Sequence, residues 1–178
     1  MLYTRKGDNG TSGLFGTKKR LPKNSPTYDA LGTLDELNSL LGVCWAYAID
    51  IAGEISIQKE IRNAQEALFI IQAELAGSDK QIGTVRVDAL EGTIDNIETL
   101  IGNPHAFVIS GATAVSAFLD YARAVARRAE RSVVRVSAKQ KVSANSLAYL
   151  NRLSSLLYAL ARYAAAKEGM REASPSYS

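Results

Sequence analysis

The chain has one cysteine, one histidine and no long apolar run, and each shortage closes off a class of function. With Cys44 alone no internal disulfide can form, which fits a reducing compartment. With His105 the only histidine there is no Cys/His cluster to hold zinc. Cys44 reads as a core residue of a helix, and His105, beside Pro104, as a loop residue. No apolar stretch approaches the ~20 residues a membrane span needs. The opening Met-Leu-Tyr-Thr-Arg-Lys-Gly lacks the apolar region of a signal peptide. The expected location is the cytoplasm, with no membrane partner. The net charge of +3 is modest, and a basic balance of this size does not by itself indicate nucleic acid. What matters more is where the positive charge sits.

A length of 178 residues argues for one domain, able to bury a core without staples. Residues 1–26 stand apart. Gly7, Gly10, Gly13 and Gly16 recur among Thr4, Arg5, Lys6, Asp8, Thr11 and Ser12, and Lys18, Lys19, Arg20 and Lys23 follow. This is a cationic, irregular, glycine-rich loop. From about residue 29 the apolar period becomes helical. The stripes are Leu34, Leu37, Leu41 and Trp45; Ile57, Ile61, Ala64, Leu68, Ile71 and Leu75; and Val87, Leu90, Ile94, Ile97 and Ile101. Gly77 and Gly102 are plausible stops, with Pro104 helping to end the third helix. A fourth helix is expected over about 112–137 through Val115, Leu119, Ala122, Val125, Ala129 and Val133. A fifth is expected over about 143–168 through Leu147, Leu150, Ser154, Leu157, Ala161 and Ala164. No strand alternation stands out. The expected fold is all-α: an up-and-down five-helix bundle (27–168) behind a Gly-rich N-terminal loop, with a flexible tail at 169–178.

Four segments could carry chemistry. Glycines in the N-terminal loop let backbone N–H groups converge on an anion, and Lys, Thr and Ser add donors. That suits a triphosphate, though G-x-x-x-x-G-K-[ST] is absent; a flexible basic tail is the plain alternative. Arg123, Arg127 and Arg131 are spaced i, i+4, i+8 and share a helix face. Like charges so placed cost roughly 0.2–0.5 kcal/mol per pair, so the line suggests acidic partners or a bound anion. Glu130 could hold Arg127, while Arg128 and Arg135 lie off the line. A solvated basic face and a groove for RNA phosphates are the other readings. Asp35-Glu36-Leu37-Asn38 suits a helix start capped by Thr33. Asn151-Arg152 offers an interhelical hydrogen bond or an exposed face. A carboxylate-bridged di-metal bundle would need Glu-x-x-His pairs, and there are none.

These segments together resemble a known family. Thr4-Arg5-Lys6-Gly7-Asp8-Asn9-Gly10-Thr11-Ser12, Gly32-Thr33-Leu34-Asp35-Glu36-Leu37-Asn38, the run from Ala122 to Arg131, and Tyr149-Leu150-Asn151-Arg152-Leu153-Ser154 resemble, in order, motifs of ATP:cob(I)alamin adenosyltransferases of the propanediol-utilisation type. The resemblance implies a five-helix bundle, a homotrimer with active sites between subunits, and Mg²⁺-ATP and a corrinoid as substrates. A cobalamin reductant and an enzyme receiving the product become possible partners, and nucleic acid does not. It implies an ATP site of Thr4, Arg5, Lys6, Gly7, Ser12, Gly13, Lys23, Arg127, Glu130, Arg131 and Asn151, with Mg²⁺ held mainly by the phosphates. It implies a bridge between subunits from Asp35 to Arg123. Phe107 aligns with an aromatic under the corrin ring, against the plain reading of a core phenylalanine. Because cobalt(I) is itself the nucleophile, no Ser, Cys or His nucleophile is required. The chain departs from the pattern at Ser110-Gly111-Ala112, where Pro-Gly-Gly is frequent, at Asp120, where His is frequent, and at Ser155, where Asp is usual. The departures bear on the corrinoid side.

Overall fold

Proline at the first position of a helix loses nothing, because its missing N–H would have no partner there and its φ is already helical. In the computed structural model, which describes residues 2–14, 20–48, 51–103 and 106–177, α1 (Pro26–Tyr47) uses this device and starts earlier than the apolar stripe suggests. Ser25, in extended conformation, occupies the cap position. Thr33 is therefore no cap: it lies inside the helix, its hydroxyl donating to the Asp29 carbonyl at 2.7 Å. Asp35 and Glu36 likewise sit away from the helix start. Gly16, Lys18, Lys19, Pro104 and His105 fall outside the described residues.

The other helices are α2 (Ile57–Leu75), α3 (Thr84–Ile101), α4 (Ala114–Ser137) and α5 (Ala144–Lys167). Gly77 ends α2 as expected: at φ 97° it lets its own N–H reach Glu74 O at 3.0 Å and that of Ser78 reach Ala73 O at 2.9 Å. Thr113 and Ser116 cap α4 reciprocally, each hydroxyl accepting from the other's backbone N–H at 3.1 and 2.9 Å. The fold is an up-and-down helical bundle with α5 at its centre, packed on α4, α3 and, more lightly, α2; α1 packs on α4 and α2. This explains the burial. The α2 and α4 stripes are fully buried, whereas α3, resting on α5, buries only Leu90 and Ile97 and leaves Val87, Ile94 and Ile101 half-covered. On α5 the buried set widens to Leu153, Leu156, Leu160 and Tyr163. Each fully buried leucine contributes about 1.5–3 kcal/mol, and buried Ala126, Ala129, Ala161 and Ala164 allow α4 and α5 to approach closely.

Polar groups fix the connections. Glu74, buried at the end of α2, accepts from Ser143 N at 2.6 Å, Ser143 Oγ at 3.2 Å and Ser146 Oγ at 2.5 Å. A carboxylate thus meets the positive N-terminal end of α5. Tyr163 Oη accepts from Ile55 N at 3.0 Å and donates to Glu54 at 3.1 Å, pinning the α1–α2 loop to α5. The C-terminal segment, expected to fray, is tied at two points: Glu172 pairs with Arg162 at 2.6 Å, and Ala173 O accepts from Ile109 N at 2.7 Å.

The N-terminal loop contains a ribbon that strand alternation did not reveal. β1 (Thr11–Gly13) pairs antiparallel with β2 (Arg20–Pro22). Arg20 closes it, donating to Thr11 Oγ1 at 2.9 Å, Thr11 O at 2.8 Å and Lys6 O at 2.5 Å. Three-residue strands are too short for a sequence period to register. Among the described residues neither strand of the ribbon packs substantially on any of the five helices.

Candidate functional site

Helical spacing places Arg123, Arg127 and Arg131 along one side of α4, and the fold gives the off-line arginines a different task. Arg128 pairs with Glu36 and Arg135 pairs with Asp29 at 3.2 Å, so both tie α4 to α1. Arg127 and Arg131 are exposed, and neither makes an ion pair or hydrogen bond among the described residues. Glu130 does not hold Arg127. Its carboxylate instead accepts from Asn151 Nδ2 of α5 at 3.0 Å. Asn151 Oδ1 in turn accepts from Arg152 at 2.7 Å, and Arg152 is held by Glu91 of α3 at 2.8 Å. The result is a pre-set polar row across α3, α5 and α4, with two unpaired guanidinium groups beside it. Such an arrangement is chemically suited to an anion, since its cations have no resident acid to leave first.

Two clefts share Arg123, Tyr158 and Arg162, and the first of them reaches Arg127. One, of about 270 Å³, lies between α3 and α5 and is lined by Ile94, Ile97, Ile101, Arg123, Arg127, Ser155 and Tyr158, among others. The other, of about 470 Å³, is lined by Phe107, Val108, Ser110, Asp120, Arg123, Tyr158 and Arg162, with Ala106. Phe107 is 78% exposed, so it is not a core residue; its ring stands at the edge of open space. All three departures from the family pattern fall at these clefts: Ser110 and Asp120 line the second and Ser155 the first.

Arg162, which sequence reasoning passed over, joins the clefts. It is 4% exposed, bonds Asp120 Oδ2 at 2.5 Å, lies over the Tyr158 ring at 4.7 Å and has Glu172 Oε1 2.6 Å from its Nε. The Glu172 contact is an ion pair rather than an aligned hydrogen bond. Burial pushes the Glu172 carboxyl above its ordinary value, against the pull of the guanidinium. Arg123 shares the same buried carboxylate, its Nε 3.9 Å from Asp120 Oδ1. A signal was present in the sequence. Arg162 interrupts the apolar run Leu160-Ala161-Arg162-Tyr163-Ala164, and a charge on a buried face needs a buried partner.

The N-terminal loop forms a second, separate group. Asn9 Oδ1 accepts from Thr11 N at 3.2 Å and Thr11 Oγ1 at 2.7 Å, and Lys23 N donates to Gly10 O at 2.9 Å. Gly7 passes so close to Lys23 that a Cβ there would stand 3.0 Å from Nζ. Arg5 takes a left-handed φ of 58°. Thr4, Arg5, Lys6, Gly7, Ser12, Gly13 and Lys23 thus belong to one loop, while Arg127, Glu130, Arg131 and Asn151 belong to the helical row. One chain links the two groups by no hydrogen bond or ion pair among the described residues. Asp35 and Arg123 are likewise unpaired with each other. Among the described residues no group of three or more His, Cys, Asp or Glu is placed to hold a metal, and no helix is long and apolar enough to cross a membrane.

The described residues thus form a helical bundle with two exposed, unpaired guanidinium groups on α4 and an apolar-edged cleft beside Arg127. The sequence matches the family model described as cobalamin adenosyltransferase over residues 2–164, and the chain belongs to that family. It is 38% identical to the corrinoid adenosyltransferase PduO of Salmonella typhimurium over 90% of this chain and 48% of that one. It is also 38% identical to a corrinoid adenosyltransferase of Citrobacter freundii, over 90% of this chain and 93% of that one. The human corrinoid adenosyltransferase MMAB is 34% identical over 96% of this chain and 71% of that one. The chain therefore spans about half the length of the PduO proteins it matches. Among solved structures, a variant PduO-type ATP:corrinoid adenosyltransferase from Lactobacillus reuteri, complexed with cobalamin and ATP, superposes with a TM-score of 0.89 at 28% identity. That match covers 99% of this chain and 97% of that one.

Proposed function

We propose that the protein transfers the 5′-deoxyadenosyl group of ATP to the cobalt of cob(I)alamin, giving adenosylcobalamin and triphosphate. The observation that carries this reading is the pair of unpaired guanidinium groups, Arg127 and Arg131, beside the fixed Glu130–Asn151 hydrogen bond of 3.0 Å, with Arg127 lining the 270 Å³ cleft. The cobalt(I) lone pair forms the Co–C5′ bond, and the C5′–O bond breaks with its electrons leaving on triphosphate. Cobalt ends formally two electrons more oxidised. No protein nucleophile takes part. The charge that grows on the departing oxygen is met by Arg127, and one such donor is worth about 2.7–4 kcal/mol in comparable sites. Mg²⁺ would travel with the phosphates. The protein's other task is alignment.

The separation of the two ATP-binding groups within one chain supports a site completed by a neighbouring subunit, as in a homotrimer. The loop of one subunit would cover the helical row of the next, and Asp35 would meet Arg123 across the junction. Phe107 would sit under the corrin ring. Its exposed ring beside the 470 Å³ cleft supports a role in keeping a lower ligand off cobalt, since water against an apolar ring lacks hydrogen-bond partners. A cytoplasmic setting would supply the reductant. The test is direct: incubate the protein with Mg²⁺-ATP and chemically reduced cobalamin and follow adenosylcobalamin by its spectrum. No product from correctly reduced cobalamin would overturn the proposal.

A further inference from the structure

Phe107 sits on a segment that belongs to no helix, and such a segment holds its position only through what it is bonded to. Ile109, two residues further on, donates its N–H to Ala173 O at 2.7 Å. Ala173 follows Glu172, whose carboxylate lies 2.6 Å from Arg162 Nε. Arg162 is 4% exposed and bonds Asp120 of α4 at 2.5 Å, and Asp120, Arg162 and Phe107 line one cleft. The chain of contacts runs from α4 through α5 to the C-terminal segment and back to the Phe107 segment. A third, smaller cleft of about 170 Å³, lined by Ile101, Gly102, Arg162, Met170 and Glu172, opens between the tail and the end of α3.

We propose that Glu172 is a positioning residue: by anchoring the C-terminal segment to Arg162 it fixes the Phe107 segment at the edge of the corrinoid-side cleft. The inference rests on the reading of that cleft as the corrinoid side. It assigns the tail a function, where composition suggested only a frayed end. It also accounts for the buried arginine, which would otherwise be a costly way to neutralise Asp120 alone. Glu172 lies at Arg162 and the smaller cleft, away from Arg127, Arg131 and the N-terminal loop, so its loss should leave the nucleotide side alone.

The test uses the full chain with Glu172→Lys, which repels Arg162, Glu172→Gln, which removes the charge, and Glu172→Asp, which keeps it. Without any ligand, amide exchange at Ile109 should rise by roughly tenfold or more in Glu172→Lys as its bond to Ala173 opens. Glu172→Gln should fall between, and Glu172→Asp should restore most of the protection. With Mg²⁺-ATP and cob(II)alamin, electron paramagnetic resonance should show the four-coordinate signal of the wild type reduced several-fold in Glu172→Lys. ATP affinity and the helical circular dichroism should be unchanged. An unchanged Ile109 exchange rate would overturn the anchoring. Faster exchange with an undiminished four-coordinate signal would overturn the positioning role. A wild-type protein that gives no such signal would instead count against the corrinoid reading itself, and the ligand-free exchange arm would still decide the anchoring.

Discussion

Replacing Arg162 by methionine keeps most of the side chain's bulk and removes its charge from a site that is 4% exposed. Two carboxylates then lose their partner. Among the described residues Asp120 then keeps only Arg123 at 3.9 Å, and Glu172 is freed to swing outward. Stranding a buried charge in this way costs about 3–5 kcal/mol, a large share of the roughly 5–15 kcal/mol that holds a domain together. For a chain of this size each kcal/mol moves the melting midpoint by about 2–4 °C, so a fall near 10 °C is expected. Asp120→Leu should cost less, because Arg162 retains Glu172 at 2.6 Å and the Tyr158 ring at 4.7 Å. In the double variant neither charge is left to strand the other, so its loss should fall short of the sum of the singles by about 2–3 kcal/mol. Urea unfolding at fixed protein concentration measures all four proteins, with an unchanged slope showing that the same surface is exposed. Losses that add within about 0.5 kcal/mol would refute the coupling.

Arg127→Ala should keep the fold, since the side chain is exposed and has no bond among the described residues, and should lower turnover by about 10²–10³; a near-normal rate removes Arg127 from the site. Asp35→Asn and Arg123→Ala should each weaken assembly or activity, and the double variant should lose less than the sum if they meet across subunits; sedimentation and a rate assay on all four proteins decide it. Phe107→Ala, at a 78% exposed position, should change stability by no more than about 0.5 kcal/mol while cutting the four-coordinate cobalt(II) signal; an intact signal sinks its role under the corrin. The hydrogen bond from Lys167, with help from the Glu54 backbone and Tyr163, holds the Glu54 carboxyl down at about 2 from its ordinary 4.5. A depressed acid stabilises the fold above its unfolded value and loses that contribution as pH falls through the folded one. The anchoring of the α1–α2 loop should therefore weaken between about pH 4.5 and 2. Carboxyl titration by NMR checks this, and Lys167→Met should return Glu54 toward its ordinary value.

The sequence alone determined the five helices, their stripes and the alignment of Arg123, Arg127 and Arg131, because helical periodicity is local: residues three and four apart share a face whatever the helix packs against. Gly77 as a stop was legible for the same reason, since the left-handed turn it makes is a property of a few adjacent residues. The motif order also pointed to the family. What periodicity could not show was the partner of each charged group. Arg127 and Arg128 are neighbours in sequence, yet only the packing of α1 on α4 gives Arg128 its Glu36 and leaves Arg127 open. Asp120 and Arg162 lie on different helices and meet only when α4 packs on α5. Phe107 could have been core or cleft edge, because an isolated aromatic beside a helix start has no period to declare its side. The tail read as frayed because its polar composition is that of a solvated end, whereas packing brings it to Arg162, a buried charge with capacity for two carboxylates, and to the Ile109 N–H.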